Sequence, residues 1–213
     1  RFSLDRVVKD QQTGYGQLLS YTVATVNGRP FKLNGNDTPP ALASASQVVY
    51  DTGGTFTSLG SGKYTYKFAA ALPVNFDVNA FHRAGMQATR LSRKWVANDF
   101  FDFVPSGQVA QPIGTVTNTA CNKCHDLMSA HGGQRYEVEL CATCHSPQTV
   151  DPESGQTVDF KVMVHKIHQG EGLPSVEAGN PYRIVGFNQA VTDFSEVAFP
   201  GDLRNCATCH NGP

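Results

Sequence analysis

Three short stretches of a 213-residue chain set two thiols three residues apart and an imidazole directly after the second: CNKCH at 121–125, CATCH at 141–145 and CATCH at 206–210. All 6 cysteines, Cys121, Cys124, Cys141, Cys144, Cys206 and Cys209, fall in these pentads, and the pentads close on His125, His145 and His210. This is the attachment signature of a c-type haem. Two thioether bonds tether the macrocycle, and the adjacent imidazole is held against the iron as its proximal ligand. Zinc ribbons space four thiolates much as the first two pairs do, but the third pair would then need ligands from elsewhere. A dithiol redox centre explains one pair and leaves the histidine after every pair unexplained. The pattern predicts three covalent haems c.

The other face of each iron decides between conduction and substrate chemistry, because a second strong ligand closes the position where oxygen or substrate would bind. Of 7 histidines, His82, His131, His165 and His168 are not proximal. Three of these lie in the cysteine-bearing half, one per haem, which predicts bis-His irons with His131, His165 and His168 distal. His82, far from any cysteine pair, reads as a solvated or hydrogen-bonded side chain. His131 follows His125 by six residues, about 9 Å if helical, too little to span one haem, so it is expected to serve the haem of Cys141 and Cys144. His165 and His168 sit about 4.5 Å apart in rise on one helix face. They are expected to serve two different haems, those of Cys121 and Cys206, in either order. Met128 and Met163 are competing ligand types that read better as packing.

Those histidines need a rigid carrier. In DFKVMVHKIHQG, Phe160, Met163, Val164 and Ile167 recur at helical spacing and Gly170 supplies a stop, predicting an amphipathic helix. Residues 1 to about 104 contain no cysteine and alternate as strands do: LLSYTVATV at 18–26, GKYTYKFAAAL at 62–72 and FHRAGMQATRLSRKWV at 81–96. VNGRP, NGNDTPP, DTGG and GSGK punctuate them as turns. A small antiparallel sandwich or barrel is expected over 1–110, then a loop-rich, sparsely helical haem domain over 111–213, joined through FVPSGQVAQPIGT at 103–115. DPESGQTVD and NGNDTPP invite a calcium-loop reading, but acidic Gly/Pro stretches serve chiefly as turns.

A formal net charge of -1 and a pI near 6.7 supply no basis for nucleic-acid binding. No apolar run is long enough to span a bilayer. The chain opens on Arg1 without Met or a signal peptide, as expected of a processed or excised piece. Thioether attachment takes place outside the bacterial cytoplasm, so an exported protein is expected, with no cysteine left for structural disulfides.

CNKCHDLMSAHGGQR, CATCHSPQTVDPESG, VDFKVMVHKIHQGEGLPSV, FSEVAFPGDLRNCATCH and the preceding FFDFVP resemble the opening of a pentahaem module in the outer-membrane decahaem cytochromes of the OmcA/MtrC family, over about residues 95–213. The resemblance implies a split β-barrel ahead of the haem domain and bis-His haems. It also implies extracellular electron transfer in dissimilatory metal reduction, to metal oxides, iron(III) or flavins, from other multihaem cytochromes or redox partners at the outer membrane or in the periplasm. A pentahaem module has two more attachment sites, so the chain reads as a fragment or as a short trihaem relative. The residues favour an electron carrier over a catalyst. Two alternatives stay open: a multihaem enzyme with one open iron or terminal metal reductase activity, and a homo-oligomer or filament of stacked haems.

Overall fold

A computed structural model describes residues 1–11, 13–111, 113–114 and 116–210, so Pro112 and Thr115 of the expected linker lie outside the described residues. In chain order the strands are β1 (Phe2–Lys9), β2 (Gly16–Ser20), β3 (Val23–Asn27), β4 (Phe31–Leu33), β5 (Asn36–Thr38), β6 (Ser44–Val48), β7 (Thr55–Gly60), β8 (Lys63–Lys67), β9 (His82–Arg90) and β10 (Trp95–Phe103). Helices α1 (Asn118–His125), α2 (Val138–Cys144), α3 (Phe160–Gln169) and α4 (Pro174–Glu177) follow, with β11 (Arg183–Val185) and β12 (Val191–Asp193) after them. The order is strand-rich first and sparsely helical second.

The chain forms two compact units. The first holds a four-stranded antiparallel sheet in the order β10-β9-β1-β2, the separate ribbon β7-β8, and helices α1 and α2. Residues facing each other across an antiparallel ladder share a face, and here the register aligns Ser20, Asp5, Arg83 and Asp102 in one row across all four strands. Helix α2 lies against the sheet with Leu140 and Thr143 fully buried. Gly85 permits that approach: a Cβ there would stand 2.6 Å from Ser3 Oγ and 2.8 Å from Leu140 Cδ1.

Arg83 donates through Nε and Nη2 to the two carboxylate oxygens of Asp102, at 2.6 and 2.7 Å, and its guanidinium lies 4.8 Å from the Phe100 ring centroid. His82 belongs to an aromatic group. Its ring stacks on Tyr21 and Phe103, Nε2 lies 2.7 Å from the Tyr21 hydroxyl, and Nδ1 lies 2.8 Å from the Ala80 carbonyl. With both ring nitrogens engaged inside the protein, His82 is a buried structural histidine.

The second unit holds three antiparallel ribbons, β3-β6, β4-β5 and β11-β12, with α3 and α4. The DPESG turn is built from within: Asp151 accepts from the amides of Glu153 and Val185 at 2.9 and 2.7 Å and from the Ser154 hydroxyl. Glu153 accepts from the Arg29 amide at 3.0 Å and from Gln189 Nε2 at 2.8 Å. Both carboxylates are buried and serve as backbone braces. Helix α3 ends at Gly170, whose φ of +43° and closeness to the Val197 carbonyl leave no room for a side chain.

The strand readings needed three adjustments. The run at 81–96 is not one strand but β9 and the start of β10, because Leu91, Ser92 and Arg93 turn the chain at φ values of 52°, 52° and 75° without a glycine to mark it. The run at 18–26 divides at Tyr21 and Thr22, β2 pairing with β1 and β3 with β6. Of 62–72 only Lys63–Lys67 is strand. The outer strands β10 and β2 are not paired to each other, so the four-stranded sheet is open, and the described residues form no closed barrel.

Candidate functional site

Each pentad sits on a helical turn. Thr117 caps α1, its hydroxyl accepting from the Ala120 amide at 3.3 Å, and α1 carries Cys121, Cys124 and His125 on one turn. Three-residue spacing on a helix places both thiols on one face, as a porphyrin edge with two attachment points requires. The Asn118 carboxamide then accepts from the Val138 amide at 2.9 Å, tying α1 to the start of α2, which carries Cys141 and Cys144. The third pentad forms a 3-10 turn at Cys206–Thr208, extended by a 2.8 Å bond from the His210 amide to the Cys206 carbonyl.

The two thiols of α2 are poor thiolates. Burial pushes Cys141 up to about 11 and raises Cys144 as well. A zinc site or a reactive dithiol needs the opposite shift. Among the described residues no three His, Cys, Asp or Glu side chains are grouped so as to hold a metal ion, and none of the six cysteines is disulfide-bonded. Thioether formation consumes the thiols and suits an apolar setting.

The histidines pass a test of fit to iron. Nδ1 lies against a backbone carbonyl in three of them: His145 on Val158 at 2.9 Å, His165 on Lys161 at 2.5 Å, and His168 on Val164 at 2.9 Å. A carbonyl only accepts, so Nδ1 carries the proton and the lone pair falls on Nε2, the tautomer and orientation of an imidazole that ligates metal. His165 and His210 face each other with ring centroids 5.9 Å apart and planes 21° from parallel. Two imidazoles on opposite sides of one metal, each with a bond of about 2 Å, place their centroids roughly 6 Å apart. His168 sits one turn along α3, its ring edge-on to Phe199 at 5.6 Å. His131 lies on a tight turn with its own φ at 54° and Gly132 and Gly133 also left-handed. His125 and His131 are exposed.

No residue of α3 is fully buried, though Phe160, Met163, Val164 and Ile167 form the expected apolar stripe. The protein core is correspondingly thin: among the described residues few large apolar side chains are buried, Leu18, Phe31, Leu140 and Tyr182 among them, while Trp95, Phe101, Leu127 and Phe187 are among those exposed. Large covalently held apolar groups suit a chain whose own core is this small. The carboxyls around α2 escaped the sequence reading. Asp5 is buried under the helix, and Glu137 is raised to about 7 by burial and by Glu139. Polar residues at the inward positions of β1, where alternation normally places apolar ones, were the available signal.

Residues 114–213 match the family described as outer membrane cytochrome MtrC/MtrF-like, domains II/IV. A multihaem cytochrome MtrC from Shewanella baltica (strain OS185) is 26% identical over 249 aligned residues, covering 99% of this chain and 35% of its own. The crystal structure of the outer membrane decahaem cytochrome OmcA matches with a TM-score of 0.79 at 27% identity, over 100% of this chain and 34% of that one. The chain spans about a third of the length of both relatives. Among the described residues no helix is long and apolar enough to cross a membrane.

Proposed function

We propose that the chain, which is similar to the outer-membrane multihaem cytochromes of the OmcA/MtrC family, conducts electrons through three covalent haems c, each with two histidine ligands. The observation that carries the reading is the near-parallel pair His165 and His210 beside the attachment thiols Cys206 and Cys209, in a chain whose every cysteine lies in an attachment pentad. Bound haem supplies one-electron iron(III)/iron(II) chemistry.

The chain's own residues tether and close the irons. Cys121 and Cys124, Cys141 and Cys144, and Cys206 and Cys209 hold the three macrocycles, and His125, His145 and His210 are proximal. His165 is distal to His210. His168 points from the same rigid helix to a different haem, and His131 serves the haem of Cys141 and Cys144. Closed irons suit hopping and exclude substrate from the metal. The division into a β-domain over 1–110, of split-barrel type, and a haem domain over 111–213 belongs to the same proposal, with the β-domain as a docking and spacing module. The protein is exported, to the outer face of the outer membrane or the periplasm. Its electrons come from redox partners and pass to flavin or iron(III) acceptors.

Stopped-flow mixing tests the reading. The reduced haem-loaded protein should pass electrons quickly to soluble flavin or chelated iron(III) and bind almost no carbon monoxide. Rapid stoichiometric carbon monoxide binding, or turnover of nitrite or hydroxylamine at enzymatic rates, would replace it with a multihaem enzyme carrying an open iron.

A further inference from the structure

Asp5 occupies a position that a carboxylate does not normally tolerate. It is fully buried in the middle of the four-stranded sheet, and neither of its oxygens has a hydrogen-bond partner of good geometry. The register explains why: Asp5 and Asp102 flank Arg83 in the same cross-strand row, and the guanidinium fork is bound to Asp102 through two short bonds. On the other side Ser20 accepts from the Thr22 amide at 3.2 Å, and its hydroxyl, with that of Ser3, favours the ionised form of Asp5 less than burial opposes it. The neighbouring Ser3 hydroxyl is likewise buried without a partner of good geometry. An ionised carboxylate here would be a buried charge compensated only in part, because Arg83 is already bound to Asp102. Burial accordingly raises Asp5 to about 7, against the weaker pull of Ser20, Ser3 and Arg83.

What lies above the row gives that proton a role. Helix α2 covers this face of the sheet: a Cβ on Gly85 would touch both Ser3, two residues from Asp5 on the same face, and Thr143, the neighbour of Cys144. Cys144 is an attachment thiol in the function proposed above, on which this inference rests. The covalent tether fixes the neighbourhood of Asp5 to that haem whatever the orientation of the ring. We propose that Asp5 is a proton-binding site coupled to the haem tethered at Cys144, taking up one proton as that iron gains one electron.

The Asp5 carboxylate would accept one proton from water, becoming the neutral acid, for each electron that a redox partner delivers to the haem tethered at Cys144. Reoxidation returns both. The iron loses one positive charge on reduction, so a nearby carboxylate is less stabilised and holds its proton more tightly. By reciprocity the proton favours the electron. The other titratable or charged groups around the row are Arg83 of β9, Asp102 of β10, Tyr21 after β2, and Glu137 with Glu139 at the start of α2. Glu137, also near neutrality, is the competing proton site.

Spectroelectrochemical titration of the haem-loaded wild type, Asp5→Asn and Glu137→Gln between about pH 6 and pH 9 separates these. In the wild type one haem potential should fall with rising pH, by at most about 59 mV per tenfold change in proton concentration. Asp5→Asn should flatten that one haem and leave the others alone, and Glu137→Gln should leave it sloped. An unchanged slope in Asp5→Asn, or a slope removed only by Glu137→Gln, overturns the assignment. If Asp5→Asn does not fold, the wild type still decides: its reduced-minus-oxidised infrared spectrum must gain the carbonyl stretch of a buried protonated carboxyl, and no such band overturns the proposal. A wild type that carries no haem overturns the electron-transfer reading together with this one. Haem present with three pH-independent potentials overturns only this one.

Discussion

Replacing His165 with Ala should open a single iron to carbon monoxide, from almost none bound in the parent to one molecule per chain, with one haem turning from low to high spin. The imidazole of His165 lies 5.9 Å from that of His210, and its Nδ1 is fixed on the Lys161 carbonyl at 2.5 Å. That placement suits a ligand, and Ala leaves no imidazole at the same position on α3. His168→Ala should open one iron as well, and a different one. The two histidines are one turn apart on one helix, and the ring of His165 lies 5.9 Å from that of His210 while the ring of His168 lies 5.6 Å from that of Phe199. Carbon monoxide titration of the two single variants and the double variant checks this. The double variant should bind two molecules per chain. If it binds only one, both histidines serve the same iron and the assignment on α3 is wrong.

The second large effect is on folding. In mild acid, Asp102→Ala should destabilise the first unit by about 3 kcal/mol, because it leaves a guanidinium that is 4% exposed without a carboxylate partner. The size should depend on pH in a set direction. In the wild type the folded-state pKa of Asp5 is raised above its unfolded value, so the stability linked to its proton is complete below about pH 4 and is lost as pH rises toward 7. In Asp102→Ala, Arg83 turns to the Asp5 carboxylate in the adjacent register position, and that loss disappears. The deficit is therefore largest in mild acid and narrows toward about pH 8. Urea unfolding of both proteins across this range is the measurement. A deficit below about 1 kcal/mol in mild acid, the level of an exposed pair, or one that widens with pH, contradicts the account of the row.

The chemistry of this chain was more legible than its architecture, for a physical reason. An attachment pentad is local, so five consecutive residues specify it, and the α3 helix with its Gly170 stop is likewise written in one short stretch. The β9–β10 hairpin was hidden because its turn uses Leu91, Ser92 and Arg93 in left-handed conformations that usually call for glycine. The row Ser20, Asp5, Arg83 and Asp102 joins residues up to 97 positions apart, from Asp5 to Asp102, and only strand register brings them together. Helix geometry left two choices for the haem that His165 serves, and only the three-dimensional arrangement, with the His165 and His210 rings 5.9 Å apart, bears on that choice.

The claim on which the rest stands is that every pentad holds a covalent haem and every iron carries two histidines. Intact mass of the denatured protein, taken with an absorption spectrum of the native one, tests both parts on a single sample. Three haem additions per chain with wholly low-spin bands are expected. Fewer than three additions, bound zinc, or a substantial high-spin band in the unaltered protein would contradict the account.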